Sequence, residues 1–299
     1  MQITTLLTSL LAATTLSSAA TLRRVLNFGS NPGDNEMYIY VPDQLPANPA
    51  IVVALHGCLG TATNYYREVE ALPPAADAHG FIIIYPGSRD DFRCWDVNTE
   101  PSLTHNGGSD SLSIVNMVRY TVARYNTDTG RVFATGSSSG AMMTLVLAAA
   151  YPDVFRAVAA YSGLPYGCLR GSPGSSPFTA NPGCADGDVV KSQEEWVDEV
   201  HRAWPGYSGN GSYRYPRVQV WHGTADGVIS EVNFGEVVKQ WSGVFGVGKV
   251  GEEDDTPVEG YSRWVYGDGD QLEGYLAQGV GHVVPTEVES TLRWFGLVQ

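Results

Sequence analysis

Three residue types in one chain order set the chemistry to look for. Ser138 is the middle residue of Gly136-Ser137-Ser138-Ser139-Gly140, a G-x-S-x-G pattern; Asp226 lies downstream and His282 further still. A serine hydroxyl is a poor nucleophile at its own pKa. It needs a base within hydrogen-bond reach, and the base needs a third group that fixes its tautomer. When the serine rides on a strand-to-helix turn, the order along the chain is serine, acid, histidine. That order is met here without rearrangement. The chemistry implied is attack on an acyl carbonyl, a covalent acyl-enzyme, and its release by water.

Each assignment has rivals. A flexible Gly/Ser loop has the same letters as the nucleophile turn, so the flanking segments must decide. Asp255, Asp268 and Asp270 are also downstream acids. Asp226 is preferred because it directly follows RVQVWHG, and α/β sheets build sites at strand C-termini. Of six histidines only His282 follows that acid. His222 reads as structural, His56 and His105 as residues of the site rim, and His79 and His201 as surface helix positions. The tetrahedral intermediate carries negative charge, so two backbone N–H donors should face it. Ser139, at the start of a helix whose dipole helps, supplies one. Cys58, after His56-Gly57, supplies the other. Trp95, Tyr161 and Tyr166 fall on loops or strand ends of the same side and are read as aromatic faces for a sugar or phenolic substrate.

The elements that must position these groups follow from pattern. Segment 132–135 is β-rich, and 139–151 is an apolar helix that stops before Pro152. Upstream, 24–27 and 36–41 form a hairpin around Asn31-Pro32-Gly33-Asp34. Segments 50–55 and 81–85 are apolar on both faces, as strands of a covered parallel sheet are. Between them 65–78 is helical, with Pro73-Pro74 kinking or splitting it. A helix over 111–125 has Ile114, Val115, Val118 and Val122 on one face. Downstream come strand 155–162, an irregular insertion over 163–188, helix 193–203, strand 217–221, helix 232–245, strands 261–266 and 271–276, and a closing helix 286–295. Strand alternating with helix predicts an α/β fold, a three-layer sandwich about a mostly parallel central sheet.

Bulk properties limit the partners. The 299 residues are 43% hydrophobic and 17% charged, with a net charge of −14. Nucleic acid and anionic membrane surfaces favour basic partners, so both are excluded as ligands. Residues 1–20, MQITTLLTSLLAATTLSSAA, have a short apolar core followed by small residues. They read as a secretory leader cleaved near Ala19 or Ala20, although no Lys or Arg precedes the core. Residues 21–299 are expected to be a single catalytic domain with no appended binding module, secreted and monomeric. The four cysteines, Cys58, Cys94, Cys168 and Cys184, suit two disulfides with three possible connectivities. Cys168 and Cys184 bracket the Pro/Gly/Ser-rich insertion and are paired here; Cys58 and Cys94 each follow a strand end and could meet on one rim. Asn210-Gly211-Ser212 is a glycosylation sequon. No C-x-x-C or H-x-x-x-H spacing occurs, so neither metal nor cofactor is expected.

With these residues assembled, the chain resembles the secreted fungal acetylxylan esterases of carbohydrate esterase family one. That α/β-hydrolase group includes feruloyl esterases and is similar to secreted polyhydroxybutyrate depolymerases. The segments carrying the resemblance are MYIYVP (37–42), CWDV (94–97), LTHNGG (103–108), VFATGSSSGAMMT (132–144), PGYSG (205–209), KQWSGVFG (239–246) and GVGHVVP (279–285). The resemblance implies Ser138, Asp226 and His282 as triad, Cys58 and Ser139 as oxyanion donors, and a plant cell-wall polysaccharide as substrate. The chain departs from the acetylxylan pattern at His56-Gly57-Cys58, where a tyrosine is expected before the cysteine, and at Leu164-Pro165-Tyr166-Gly167. Both lean toward the depolymerases. A cysteine expected near Val238 is missing. Release of acetyl groups from xylan is the expected activity. A feruloyl esterase, a polyester depolymerase and a non-catalytic carbohydrate-binding protein are the alternatives.

Overall fold

The computed structural model describes residues 20–207 and 214–299. The leader before Ala20 and the sequon at Asn210 lie outside them. A ten-stranded sheet crosses the described molecule. Its strands in chain order are β1 (Arg23–Val25), β2 (Glu36–Tyr40), β3 (Ala50–Leu55), β4 (Phe81–Gly87), β5 (Val132–Ser137), β6 (Ala157–Tyr161), β7 (Arg217–Gly223), β8 (Lys249–Asp254), β9 (Tyr261–Tyr266) and β10 (Leu272–Ala277). In space the order is β1-β2-β4-β3-β5-β6-β7-β10-β9-β8. The six strands from β4 to β10 run parallel, and antiparallel strands flank them on both sides.

Helices cover both faces: α1 (Ala62–Glu68), α2 (Leu72–His79), α3 (Glu100–Leu103), α4 (Ser109–Tyr125), α5 (Ser139–Ala150), α6 (Gly183–Asp186), α7 (Gln193–Ala203), α8 (Val232–Phe245) and α9 (Val288–Phe295). The period-2 alternation of strand side chains divides the core in two. Ile51, Val53 and Leu55 of β3 face a core built with α4, α5, α7 and α8. Ala50, Val52 and Ala54 face the opposite core with α1, α2 and α9. This is an α/β-hydrolase three-layer sandwich. Every residue of α5 is buried, which is why it is apolar on all sides rather than along one stripe.

Two elements differ from the sequence expectation, and the split anticipated near Pro73-Pro74 is present. Helix 65–78 is two helices, because Pro73 and Pro74 sit in the first turn of α2, where a missing N–H leaves nothing unpaired. Strand β8 was not foreseen: its sequence KVGEED has no apolar alternation, and all its residues but Gly251 are exposed. It is a charged edge strand, a form that discourages pairing with another chain. The insertion after β6 contains the short helix α6. Among the described residues no helix is long and apolar enough to cross a membrane.

Two disulfides tie loops to this frame. Cys58–Cys94 joins the loop after β3 to the loop after β4, and Cys168–Cys184 closes the insertion across a separation of 16 residues. A loop of that length gives roughly 3 kcal/mol in the chain-entropy account. Replacing Cys168 and Cys184 together by serine is expected to lower unfolding stability by about that amount, read as a shift in urea midpoint at unchanged slope.

Candidate active site

The nucleophile turn is a place where three backbones nearly touch. Ser138, between β5 and α5, has φ 56° and ψ −121°, left-handed backbone that a non-glycine residue adopts only when its surroundings hold it there. Its N–H donates to the Tyr161 carbonyl at 2.8 Å, and its own carbonyl accepts from Met142 N–H at 3.0 Å. A Cβ on Gly136 would lie 2.5 Å from the Gly140 carbonyl oxygen, and one on Gly140 would collide with the Leu55 carbonyl. Glycine at both positions lets β5 and α5 approach β3 closely enough to lift the Ser138 hydroxyl out of the turn.

The three residues singled out by chain order come together. Ser138 Oγ lies 2.8 Å from His282 Nε2, and His282 Nδ1 lies 2.8 Å from Asp226 Oδ2. Asp226 follows β7 and His282 the loop after β10, which are adjacent parallel strands. The Asp226 side chain is fully buried. Burial alone would raise its pKa, but His222, the N–H groups of Ile229 and Val228, and His282 outweigh that and hold it well below the usual carboxylate range. The Val228 and Ile229 N–H groups each donate to Oδ1 at 2.9 Å. Asp226 therefore stays ionised wherever His282 could act as a base, and Oδ2 is left aimed at the imidazole. His222 sits behind it, with Nε2 3.3 Å from Asp226 Oδ2 and 3.0 Å from the Ile229 carbonyl.

The loop after β3 is held by a histidine and a tryptophan. His56 is buried; its Nε2 accepts from Ser88 N–H at 3.1 Å, so its Nδ1 carries the proton donated to the Gly57 carbonyl at 2.7 Å. Burial, reinforced by Arg93, pushes its pKa down from 6.5 to about 4 against the pull of that hydrogen bond. Trp95 donates its indole N–H to the His56 carbonyl and its backbone N–H to Ser139 Oγ, both at 2.8 Å. Trp95 thus bolts the Cys58 loop to the first residue of α5. Ser139 N–H is a first-turn helix donor without an intrahelical acceptor, and Cys58 shares a pocket wall with Ser138.

That pocket, about 160 Å³, is walled by Met142, Leu164, Leu169, Pro177, Ala180 and Ile229, with Ser175, Ser176, Asn181 and Asp186 as polar groups. A larger concavity of about 690 Å³ touches Asp226 and Trp264 but not Ser138. The smaller one holds Ser138 and is the candidate acyl pocket. Most of its wall comes from the insertion after β6.

On the rim, Asp91, Phe92 and Arg93 all have positive φ, 37°, 59° and 59°. Left-handed backbone costs L-residues roughly 1–2 kcal/mol each. The turn is held by Cys58–Cys94, by the Asp91 carboxylate accepting from Ser175 and Ser176 N–H at 2.7 Å, and by Leu59 N–H donating to the Phe92 carbonyl at 2.8 Å.

The aromatic residues read as substrate contacts are not there. Trp95 and Tyr161 are 0% exposed and Tyr166 2%. Trp95 spans two loops, as above. Tyr161 hydrogen-bonds Thr291 at 2.6 Å and stacks on Trp221. Tyr166 donates to the Leu103 carbonyl at 2.5 Å. Each spends its polar atom on a distant part of the fold, so none faces substrate. His105, read as a rim residue, is stacked on Trp204 with ring centroids 3.6 Å apart, and its Nδ1 meets the Ala150 carbonyl. Sequence reasoning missed the pocket wall, whose residues share no spacing, and the holding role of His56, for which its place directly before Gly57-Cys58 was the one signal. Among the described residues no group of three or more His, Cys, Asp or Glu is placed to hold a metal ion.

Comparison with known proteins finds esterases of more than one named substrate. A family described as Esterase PHB depolymerase matches residues 37–247. Feruloyl esterase B of Talaromyces stipitatus is 51% identical, across 93% of this chain and 76% of that protein. The probable acetylxylan esterase A of Aspergillus fumigatus is 45% identical, across 93% and 74%. The solved acetyl xylan esterase from Aspergillus awamori superposes with a TM-score of 0.86 at 43% identity, covering 93% of this chain and all of that one.

The His56 environment makes a pH prediction. An unfolded chain protonates this histidine near 6.5 and the folded one only near 4. The unfolded state therefore binds the extra proton in that window, so the contribution is fully present above pH 6.5 and lost as pH falls toward 4. Its size is roughly 3 kcal/mol. His56→Gln is expected to flatten the fall in urea-unfolding stability between pH 6.5 and 4 relative to wild type; an unchanged slope refutes the assignment.

Proposed function

This chain belongs to the Esterase PHB depolymerase family, and on that premise we propose that it is a secreted serine esterase that removes acetyl groups from acetylated xylan. Ser138 Oγ attacks the ester carbonyl while His282 Nε2 takes its proton. Asp226 holds the imidazole with Nδ1–H toward Oδ2 and stabilises the imidazolium. The N–H groups of Cys58 and Ser139 receive the oxyanion, the alcohol of the sugar leaves with the proton from His282, and water repeats the sequence on the acyl-enzyme. The observation supporting this most directly is the unbroken Ser138–His282–Asp226 contact, 2.8 Å at each link, at the mouth of an apolar pocket. Two disulfides and an apolar N-terminal leader support export. Residues 21–299 are read as one catalytic domain acting as a monomer, with a glycan at Asn210.

The substrate reading draws on relatives named as acetylxylan esterases, one of which superposes over its whole length. A second reading, hydrolysis of feruloyl esters on arabinoxylan, is favoured by the pocket itself. At about 160 Å³ with a mainly apolar wall, it has room for more than a two-carbon acyl group, since one water needs only roughly 10–15 Å³ of the same kind of volume. It suits a planar phenylpropenoyl group, and relatives named feruloyl esterase B share up to 51% of the sequence.

Ser138→Ala is expected to lower kcat on 4-nitrophenyl acetate by about 10⁴-fold or more, and Asp226→Asn by about 10³- to 10⁴-fold, each with an urea-unfolding transition still cooperative. Esterase activity retained by Ser138→Ala sinks the mechanism. Initial rates on acetylated xylan, methyl ferulate and a short polyester, measured side by side, separate the substrate readings: acetate release dominating supports the first, ferulate release the second.

A further inference from the structure

The rim beside the acyl pocket displays apolar side chains that the catalytic arrangement does not use. Phe92 is 52% exposed, Phe178 70% and Leu59 66%. The two rings pair with centroids 5.0 Å apart at an interplanar angle of 54°. Leu59 is joined to Phe92 through the backbone hydrogen bond described above. Single exposed apolar residues are ordinary; a contiguous cluster at a site rim is not.

Two features show that this cluster is built. First, Phe92 is the middle of three consecutive residues with positive φ, a conformation that Asn or Gly would adopt with less strain. Strain concentrates where it serves a function. Second, one carboxylate holds both halves of the platform. Asp91 adjoins Phe92 and accepts from Ser175 N–H, Ser176 N–H and Thr179 Oγ1, the segment that carries Phe178. Cys58 and Pro177, the immediate neighbours of Leu59 and Phe178 in the chain, line the pocket that contains Ser138, as does Ser176. The patch and the nucleophile therefore share a continuous surface.

We propose that Phe92 and Phe178, with Leu59 beside them, form a platform on which pyranose rings of the xylan main chain stack while an esterified sugar sits over Ser138. The inference rests on the polysaccharide substrate proposed above. The apolar face of a pyranose ring matches an aromatic ring in size, and such stacking needs no charge, which suits a protein of net charge −14 binding a largely neutral polymer. Three side chains are too small a patch for a stable protein interface. They are the right scale for a flanking sugar.

The test compares wild type with Phe92→Asn, Phe178→Ser and the double variant. The expected result for the double variant is a rise of about tenfold in KM on acylated xylan, with kcat on xylan and kcat/KM on 4-nitrophenyl acetate and methyl ferulate within about twofold of wild type. Phe92→Asn should keep or raise the thermal midpoint, because it relieves a left-handed phenylalanine. In a second arm, Ser138→Ala should be depleted from solution by insoluble unsubstituted xylan, and adding both rim substitutions should abolish the depletion. An unchanged polymer KM, or an equal loss on small esters, overturns the platform. Concentration-dependent self-association that the substitutions remove also overturns it, by assigning the patch to a second copy. A wild type inactive on xylan sinks the substrate reading instead, and the binding arm then decides the platform alone.

Discussion

The structure depends on how closely the backbones of β3, β5 and α5 approach at Gly136 and Gly140. The Leu55 carbonyl sits where a side chain on either glycine would begin. Only that approach lets Ser138 take up its left-handed backbone, with its N–H on the Tyr161 carbonyl and its hydroxyl turned to His282. It also brings Ser139 within reach of Trp95, and Trp95 within reach of His56. The strand after the nucleophile, the loop before it in space, and the helix it starts are therefore one coupled unit. The acid and base are simpler to place, since adjacent parallel strands β7 and β10 deliver their loops side by side, one strand spacing apart.

Much of this was legible in the sequence because it is local. The strand, turn and helix around Ser138 are one continuous stretch, and the apolar runs of β3 and β4 can only be strands covered on both faces. The acid and histidine are ordered by the chain itself. What could not be read depends on partners far along the chain. Trp95, Tyr161 and Tyr166 do lie on loops and strand ends, as their surroundings suggest. Their hydroxyl and indole groups, however, find acceptors 39, 130 and 63 residues away, and those partners draw them inside. Phe92 and Phe178 carry no signal of exposure in their own sequence; left-handed backbone at a phenylalanine has no compositional mark. Strand β8 fails for the opposite reason, since an edge strand in water has no hydrophobic period to detect.

His56 illustrates how a residue type can mislead. A histidine next to a nucleophile invites a chemical role. Here its two ring nitrogens are spent on Gly57 and Ser88, in a tautomer that leaves it neutral. Its work is to hold the loop that presents Cys58. His222 shares that character: buried behind Asp226, it touches the carboxylate without facing the hydroxyl. Of the three histidines His56, His222 and His282, only His282 contacts the Ser138 hydroxyl, which is the contact the proposed mechanism uses.

The insertion after β6 has a consequence of another kind. It provides most of the acyl pocket wall, and its own disulfide, Cys168–Cys184, closes it on itself. Ser138, Asp226 and His282, the proposed triad, come from the turn after β5 and the loops after β7 and β10, outside that closed segment. Substitutions at its pocket-facing side chains can therefore reshape what the pocket accepts, while the backbone bond from Ser230 N–H to the Ala185 carbonyl still ties the insertion to the loop after β7. The insertion is in effect an exchangeable cassette on a fixed engine. What such a scaffold accepts can thus be altered by editing one cross-linked stretch.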